Sequence, residues 1–417
     1  MNQPQAIKPA ITFTGYQKFI IVLMALLQFT IILDFMILSP LGDILMKSMN
    51  MSTKQFGSVV SAYAISAGIS GFLAAGFADK YDRKKLLLFF YIGFIVGTLF
   101  CGLAYNYHTL FLARIVTGIF GGVIGSISMA IITDVFSLQQ RGRVMAFVQM
   151  AFAGSQILGI PIGLLLANKW GWHATFFMVV ILAIALGIAV LLKLKPITEH
   201  LKLQTERNPL EHLWQTIKKR DYRIGFLATA MLSMGGFMLM PFTSAFIVNN
   251  VHIAQDDLPI IFFCTGISSM IIMPLIGKLS DKIDKFKLFA MGSVIASIMI
   301  VVYTNLTPVP IWQVIIVNMV LFMGIMSRMV PATALNSAVS DTADRGAYMS
   351  INSSLQQMAG GLAAIFAGFV VIQHTKTSPI EHFDILGYVM VGFVLLCIYL
   401  VYRVSNLVKN KASGNIN

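Results

Sequence analysis

Three ionisable side chains stand where the sequence is otherwise apolar: Asp34, Arg114 and Arg328. Asp34 lies in Ile32-Leu33-Asp34-Phe35-Met36, Arg114 in Arg114-Ile115-Val116-Thr117-Gly118, and Arg328 in Met326-Ser327-Arg328-Met329-Val330-Pro331. Charge in such a setting is costly and faces a cavity or a partner. Burial favours the neutral form of a carboxylate, and a nearby cation favours the charged form. A carboxylate balanced between the two takes up and releases a proton, as coupling to a proton gradient requires. Arg114 falls at a depth comparable to Asp34 and is its natural partner. A guanidinium keeps its proton at working pH, so it biases the acid instead. The same two residues also suit a plain structural ion pair. Arg328 has no evident acidic partner in its half of the chain. Three uses stay open for it: holding an anionic substrate group, bonding to polar neighbours, or reaching its head toward the nearer membrane surface. Phe237, Met238 and Gln356 are candidates to line a cavity, because methionine-rich surfaces accept several shapes.

The elements that hold these groups are membrane spans. Of 417 residues, 57% are hydrophobic and 11% charged, where a soluble domain carries about 25% charged residues. Mean hydropathy is +0.80. Apolar runs near the roughly 20 residues that cross a hydrocarbon core recur along the chain. Twelve are read, at about 17–41, 55–77, 86–105, 109–135, 144–167, 174–194, 224–248, 258–278, 288–304, 311–337, 347–372 and 384–404. The first run follows a polar start and is too long for a cleaved signal, so it is expected to be retained. Cys101, Cys264 and Cys397 fall inside spans and fit neither a disulfide framework nor a metal site. No phosphate-binding glycine loop and no zinc-type histidine pair occurs, so no cofactor, metal or nucleotide chemistry is expected.

The net charge is +13, from 30 basic and 17 acidic residues. With the N-terminus on the cytoplasmic side of twelve spans, 24 of the 30 basic residues fall on that side. Lys47, Lys54, Lys169 and Lys376 fall outside, and Arg114 and Arg328 within. Such asymmetry places both termini in the cytoplasm and needs no nucleic-acid partner. Residues 195–223 form the one sizeable polar break. They read as a solvated linker or, over Glu211–Arg223, as an amphipathic helix on the anionic inner leaflet. The expected organisation is a bundle at 1–194, a linker at 195–223, and a second bundle with a short tail at 224–417.

The chain also repeats itself. Arg345-Gly346 echoes Arg141-Gly142 at an offset of 204 residues, and Asp281-Lys282-Ile283-Asp284-Lys285 echoes Asp79-Lys80-Tyr81-Asp82-Arg83 at an offset of 202. An even number of spans per repeat gives parallel repeats, a geometry suited to rocking one half on the other. The loops at Ala75–Lys85 and Gly277–Lys285 resemble the major facilitator superfamily signature Gly-x-Leu-Ala-Asp-Arg/Lys-x-Gly-Arg/Lys-Arg/Lys. Both copies replace the later glycine with aspartate, Asp82 and Asp284. Arg114-x-x-x-Gly118 resembles the fourth-helix motif of proton-driven members. Gly154–Gly163 resembles the fifth-helix motif of the superfamily's antiporters, with Gly159, Pro161 and Gly163 as its matching positions and Ile160 where the motif expects no insertion.

The resemblance implies an all-α membrane protein, its twelve helices arranged as two parallel six-helix repeats. It implies that Asp79 and Arg83, with Asp281 in the second copy, close the cytoplasmic gate, and that Asp34 and Arg114 serve proton transfer. The expected activity is proton-coupled efflux of small organic molecules by alternating access, with uptake or facilitated transport of a small metabolite as the alternative. A membrane-embedded enzyme would cluster polar catalytic groups at one depth, and this sequence does not. The expected partners are a small-molecule substrate, protons and the lipid of a cell (inner) membrane, with the chain acting as a monomer.

Overall fold

The computed structural model describes residues 13–203, 209–341 and 344–412, the side chains of residues 79, 138, 202, 203, 209, 210, 281 and 412 excepted. Among the described residues, eleven helices are long and apolar enough to cross a membrane. They are α1 (Gly15–Ile37), α2 (Thr53–Ala74), α3 (Arg83–Leu103), α4 (Tyr107–Val135), α5 (Gln139–Trp170), α6 (His173–Lys193), α7 (Arg220–Asn249), α8 (Leu258–Lys282), α9 (Lys285–Thr304), α10 (Ile311–Ser337) and α12 (Phe383–Ala412). The remaining expected span, α11 (Arg345–Val370), is helical over 26 residues. That length rises about 39 Å at 1.5 Å per residue, enough to cross. Its asparagines, glutamines, serines and glycines make it less apolar than the rest, and with α2 it forms the most extensive helix pair between the halves.

Local chemistry starts the helices where the sequence changes character. Thr14, Ser52 and Asn106 form reciprocal caps with Gln17, Gln55 and Thr109, satisfying backbone N–H groups that the first turn leaves unpaired. The two aspartates that depart from the loop signature have the same task. Asp82 accepts from Lys84 N at 2.9 Å and Ile197 N at 3.0 Å, capping α3. Asp284 accepts from Phe286 N at 3.0 Å and Lys287 N at 3.1 Å, capping α9. A glycine there supplies no such acceptor.

Helices α1–α6 pack mainly on one another, as do α7–α12. Two helix pairs carry most of the contact between these groups, α2 with α11 and α5 with α8. Advancing each helix by six turns one pair into the other, as a two-fold repeat demands. A Cβ on Gly57 of α2 would come within 2.6 Å of the Ala364 carbonyl oxygen, so that crossing is tight enough to require glycine. The linker holds a short helix at Pro209–Lys218. Its Leu213 is buried with Tyr222, Phe226 and Tyr348, while Trp214 is exposed. The apolar face of this helix therefore docks on the second half, which the solvated-linker reading did not anticipate.

Candidate functional site

Asp34 and Arg114 meet inside the first half. Arg114 Nη1 donates to Asp34 Oδ2 at 2.8 Å and to the Asp34 carbonyl at 3.3 Å, and both side chains are fully buried. The Arg114 guanidinium lies 4.5 Å from the centre of the Tyr63 ring on α2. The pairing is incomplete: Asp34 Oδ1 and Arg114 Nε and Nη2 are buried with no hydrogen-bond partner. Buried polar atoms without partners are uncommon and mark places where groups are held for use.

The central cavity, about 160 Å³, lies between the halves. Phe237, Arg328 and Gln356 line it, together with Met240, Asn318 and Gln156, the last of which sequence reasoning placed only in the fifth-helix motif. Two of the residues singled out in the sequence lie elsewhere. Asp34 does not line the cavity; its helix turns Met36 and Ser39 to that surface and Asp34 to the interior of the first half. Met238 is also outside it, fully buried in the core. Helical spacing is the reason: Ser233, Gly236, Phe237 and Met240 stand three and four apart on the face that lines the cavity, and Met238 lies off it. Regular helix stops at Phe237, a 3-10 turn covers Met240–Phe242 around Pro241, and helix resumes at Thr243, which also lines the cavity.

One aromatic layer joins the ion pair to the cavity. Phe35, next to Asp34, lies 5.3 Å from the Tyr63 ring and 6.0 Å from the Phe237 ring. Tyr63 touches Arg114, and Phe237 touches the cavity.

Arg328 on α10 is 1% exposed, which excludes the reading that it reaches toward the membrane surface. Its Nε donates to Ser293 Oγ at 3.1 Å, and its guanidinium stands 5.6 Å from the Phe289 ring centre. Nη2 has no partner.

The fifth-helix residues act on packing. Ser155–Gly159 forms a π-turn just before Pro161, where the ring removes an N–H and crowds the preceding turn. A Cβ on Gly159 would meet Leu33 at 2.6 Å and one on Gly163 would meet Ile37 at 2.8 Å, so both let α1 approach α5. The same turn presents Gln156 and Ile157 to Gly266 of α8 in the other half.

At the end of the bundle that carries the basic loops, Arg83 Nε pairs with Asp134 Oδ2 at 3.1 Å and Nη1 donates to the Ala78 carbonyl at 3.1 Å. Both partners belong to the first half. The side chains of Asp79 and Asp281 lie outside the described residues. In the second half Asp344 takes Lys219, His212 Nε2 at 3.0 Å and Tyr222 Oη at 2.8 Å, and Lys409 pairs with Asp284 at 2.9 Å. The lysine beside Asp344, helped by His212, holds its carboxyl well below the usual carboxylate range, and Lys409 lowers Asp284 in the same way.

At the opposite end the contacts cross between halves. Ser39 Oγ donates to the Met240 carbonyl, Ser244 Oγ donates to the Ser39 carbonyl at 3.0 Å, and Thr53 Oγ1 donates to the Val371 carbonyl at 2.7 Å. Asp43, on the short helix Gly42–Met49, accepts from Asn249 Nδ2 at 2.6 Å and pairs with Lys47 at 2.7 Å. Asp43 and Asn249 are both buried.

This arrangement, paired six-helix groups with a cavity between them and broken helices at its end, decides the comparison with known proteins. The sequence profile of the Major Facilitator Superfamily matches residues 24–364 and 225–415. The chain belongs to the Major Facilitator Superfamily. It is 28% identical to the uncharacterised MFS-type transporter YceJ of Bacillus subtilis over 64% of this chain and 67% of that one. It is 27% identical to a probable sugar efflux transporter of Helicobacter pylori (strain ATCC 700392 / 26695) over 73% of this chain and 78% of the relative. The fold superposes on a bacterial homologue of the human lysosomal transporter Spinster, inward-facing and unoccupied, with TM-score 0.76 at 15% identity, covering 95% of this chain and 98% of that one. A D-xylose–proton symporter gives TM-score 0.73 at 16% identity, over 92% and 97% of the two chains. This superfamily member is thus a multi-pass membrane transporter of small molecules, not an enzyme.

Proposed function

We propose that the protein exports small organic molecules in exchange for protons, by alternating access of the central cavity to the two membrane surfaces. The observation that carries the reading is the buried, incompletely satisfied Asp34–Arg114 pair, set one aromatic layer from the cavity. Protonating Asp34 removes the counter-charge from Arg114, which then interacts more strongly with the Tyr63 ring and drops its hold on α1. Phe35 moves with α1 and presses on Phe237. Proton occupancy and cavity shape are coupled through contact, without the acid touching substrate. Export is favoured by the similarity to a probable sugar efflux transporter.

In this reading residues 1–194 and 224–417 move as two bodies joined by 195–223. The basic end faces the cytoplasm of a cell (inner) membrane, with both termini there, and one chain suffices as a monomer. Asp79, Arg83 and Asp281 close the basic end in the alternate state, while Gly159, Pro161 and Gly163 let α5 flex against α1.

The test is efflux from energised cells, comparing the protein with its Asp34→Asn variant, with and without an ionophore that collapses the proton gradient. Pumping against a gradient is lost on both treatments while counterflow persists. Normal pumping by folded, inserted Asp34→Asn overturns the coupling role of Asp34 and leaves a structural ion pair. Accumulation inside the cell, driven by the same gradient, reverses the assigned direction.

A further inference from the structure

We infer that the cavity takes an amphipathic organic monoanion, its anionic head held by Arg328 and its apolar body lying among methionine and phenylalanine side chains. The inference rests on the cavity being the substrate site, as proposed above.

Among the described residues that line the cavity, Arg328 is the one ionisable side chain with a full charge, and no carboxylate lines it. The guanidinium is 1% exposed, so water cannot compensate it as at a surface. Its protein partners are a neutral hydroxyl, Ser293 Oγ at 3.1 Å, an aromatic face, Phe289 at 5.6 Å, and the thiol of Cys397. None is a carboxylate, and Nη2 is left with no acceptor. Removing a buried cation from its counter-ion is among the more costly events in a protein. The state that relieves the cost has an anion in the cavity.

Geometry narrows the head group. A guanidinium offers parallel N–H donors that match two oxygens of one carboxylate, sulfonate or phosphate ester. One cation, without a second nearby, balances one negative charge. A dianion would bring an uncompensated charge into an apolar site.

The lining narrows the body. Met240, Met326, Met329, Phe262 and Phe322 line the cavity with Arg328, so much of its wall is polarisable hydrocarbon and thioether. Such a wall favours an aryl or alkyl body and accepts variation in its shape.

The probes are 4-phenylbutyrate, its uncharged primary amide and 4-phenylbutylamine, three compounds of one body and three charges, tested also at shorter and longer chain length. Binding is read by thermal shift of the purified protein, and transport by counterflow in proteoliposomes. The wild type prefers the carboxylate over the amide by roughly tenfold or more and discriminates further against the amine. Arg328→Gln levels carboxylate and amide while still carrying the amide. Arg328→Lys keeps part of the preference, because it retains charge but not the fork. Equal handling of carboxylate and amide by the wild type, or preference for the amine, overturns the inference without using any variant. A thermal shift as large with chloride as with the carboxylate also overturns it, assigning Arg328 to an inorganic anion. No charge-dependent shift at any chain length does the same. Charge-selective binding without counterflow leaves the monoanion site standing and overturns the transport reading instead. Counterflow without charge preference does the reverse.

Discussion

The two ends of this bundle are held in opposite ways. Away from the basic loops, hydrogen bonds run between the halves: Ser39 to Met240, Ser244 to Ser39, Asn249 to Asp43, Thr53 to Val371, and Asn168 to the Gln255 carbonyl at 3.2 Å. At the basic end none of the described ion pairs joins the two halves: Arg83 pairs with Asp134, Asp344 with Lys219 and His212 of the linker docked on the second half, Asp341 with Lys411, and Asp284 with Lys409. Bonds between halves exist only while that end is closed, so they set the balance between conformations. Bonds within a half persist through any rocking motion, so they set the stability of the half and leave the balance alone.

The largest effect is expected from Gly57→Leu. Its side chain enters a space where a single Cβ already meets the Ala364 carbonyl at 2.6 Å and Gly368 Cα at 3.2 Å. The opposite end cannot then close, and net transport falls by about 100-fold or more, since a cycle with one state removed does not turn over. Spin labels at Ser48→Cys and His252→Cys, in a background without native cysteines, report the separation of the halves at that end. A variant that closes and transports normally breaks the comparison.

Asn249→Ala is milder. It removes the bond between halves to Asp43 and leaves Asp43 with Lys47 alone. A hydrogen bond to a charged group contributes roughly 1.5–3 kcal/mol, which is on the order of 10- to 100-fold in the ratio of closed to open. The whole of it falls on the closed state. The same label pair shows the shift as a new long-distance population. Labels at Lys80→Cys and Lys282→Cys should show the basic end shifting in the opposite sense, toward approach, as rocking requires. A change in overall stability without any shift in either distance removes Asp43 from the balance.

Asp43 is also where the sequence fell silent. It sits in Pro40-Leu41-Gly42-Asp43, which reads as a loop, and its partners Ser244 and Asn249 are 201 and 206 residues away. Asp34 and Arg114 were legible because each interrupts an apolar run, and a lone charge there demands a partner. What the sequence did not carry is direction around the helix axis: Asp34 turned into the first half and not toward the cavity. Met238 was misplaced by the same lack: Phe237 and Met240, three apart, share the cavity face, and Met238 between them lies off it. Asp82 and Asp284, read as departures from a signature, are helix caps, and a capping residue directly before a basic-apolar run is a signal the sequence did hold.

Asp344→Asn tests the other end. Its carboxyl is held low by Lys219 first and His212 next, so in the folded protein it stays ionised at pH values where the unfolded chain has begun to protonate. Such a group adds stability above the unfolded-state value near 4, and loses it as pH falls through the lower folded-state value. At neutral pH the variant is expected to lose about 1 kcal/mol, the middle of the range for one buried hydrogen-bonded group. The difference from wild type should shrink progressively below about pH 4. Thermal unfolding in detergent across that range measures it. The spin-label distances at both ends should stay where they are, because Asp344 bonds only to the linker segment docked on its own half and not to the first half.

The smallest effect is expected at Lys409→Ala. Lys409 is 62% exposed and its pair with Asp284 meets water, where exposed ion pairs contribute within about 1 kcal/mol and often nothing measurable. Asp284 keeps its cap on α9 through Phe286 N and Lys287 N, so the helix start survives the loss of the lysine. Transport, the label distances and the unfolding midpoint should all match wild type, while Asp284→Ala, which removes the cap itself, should cost roughly 1 kcal/mol. If Lys409→Ala instead opens or closes either end, the pair is holding more than its own half, and the division between balance-setting and half-stabilising bonds does not follow which half the partners belong to.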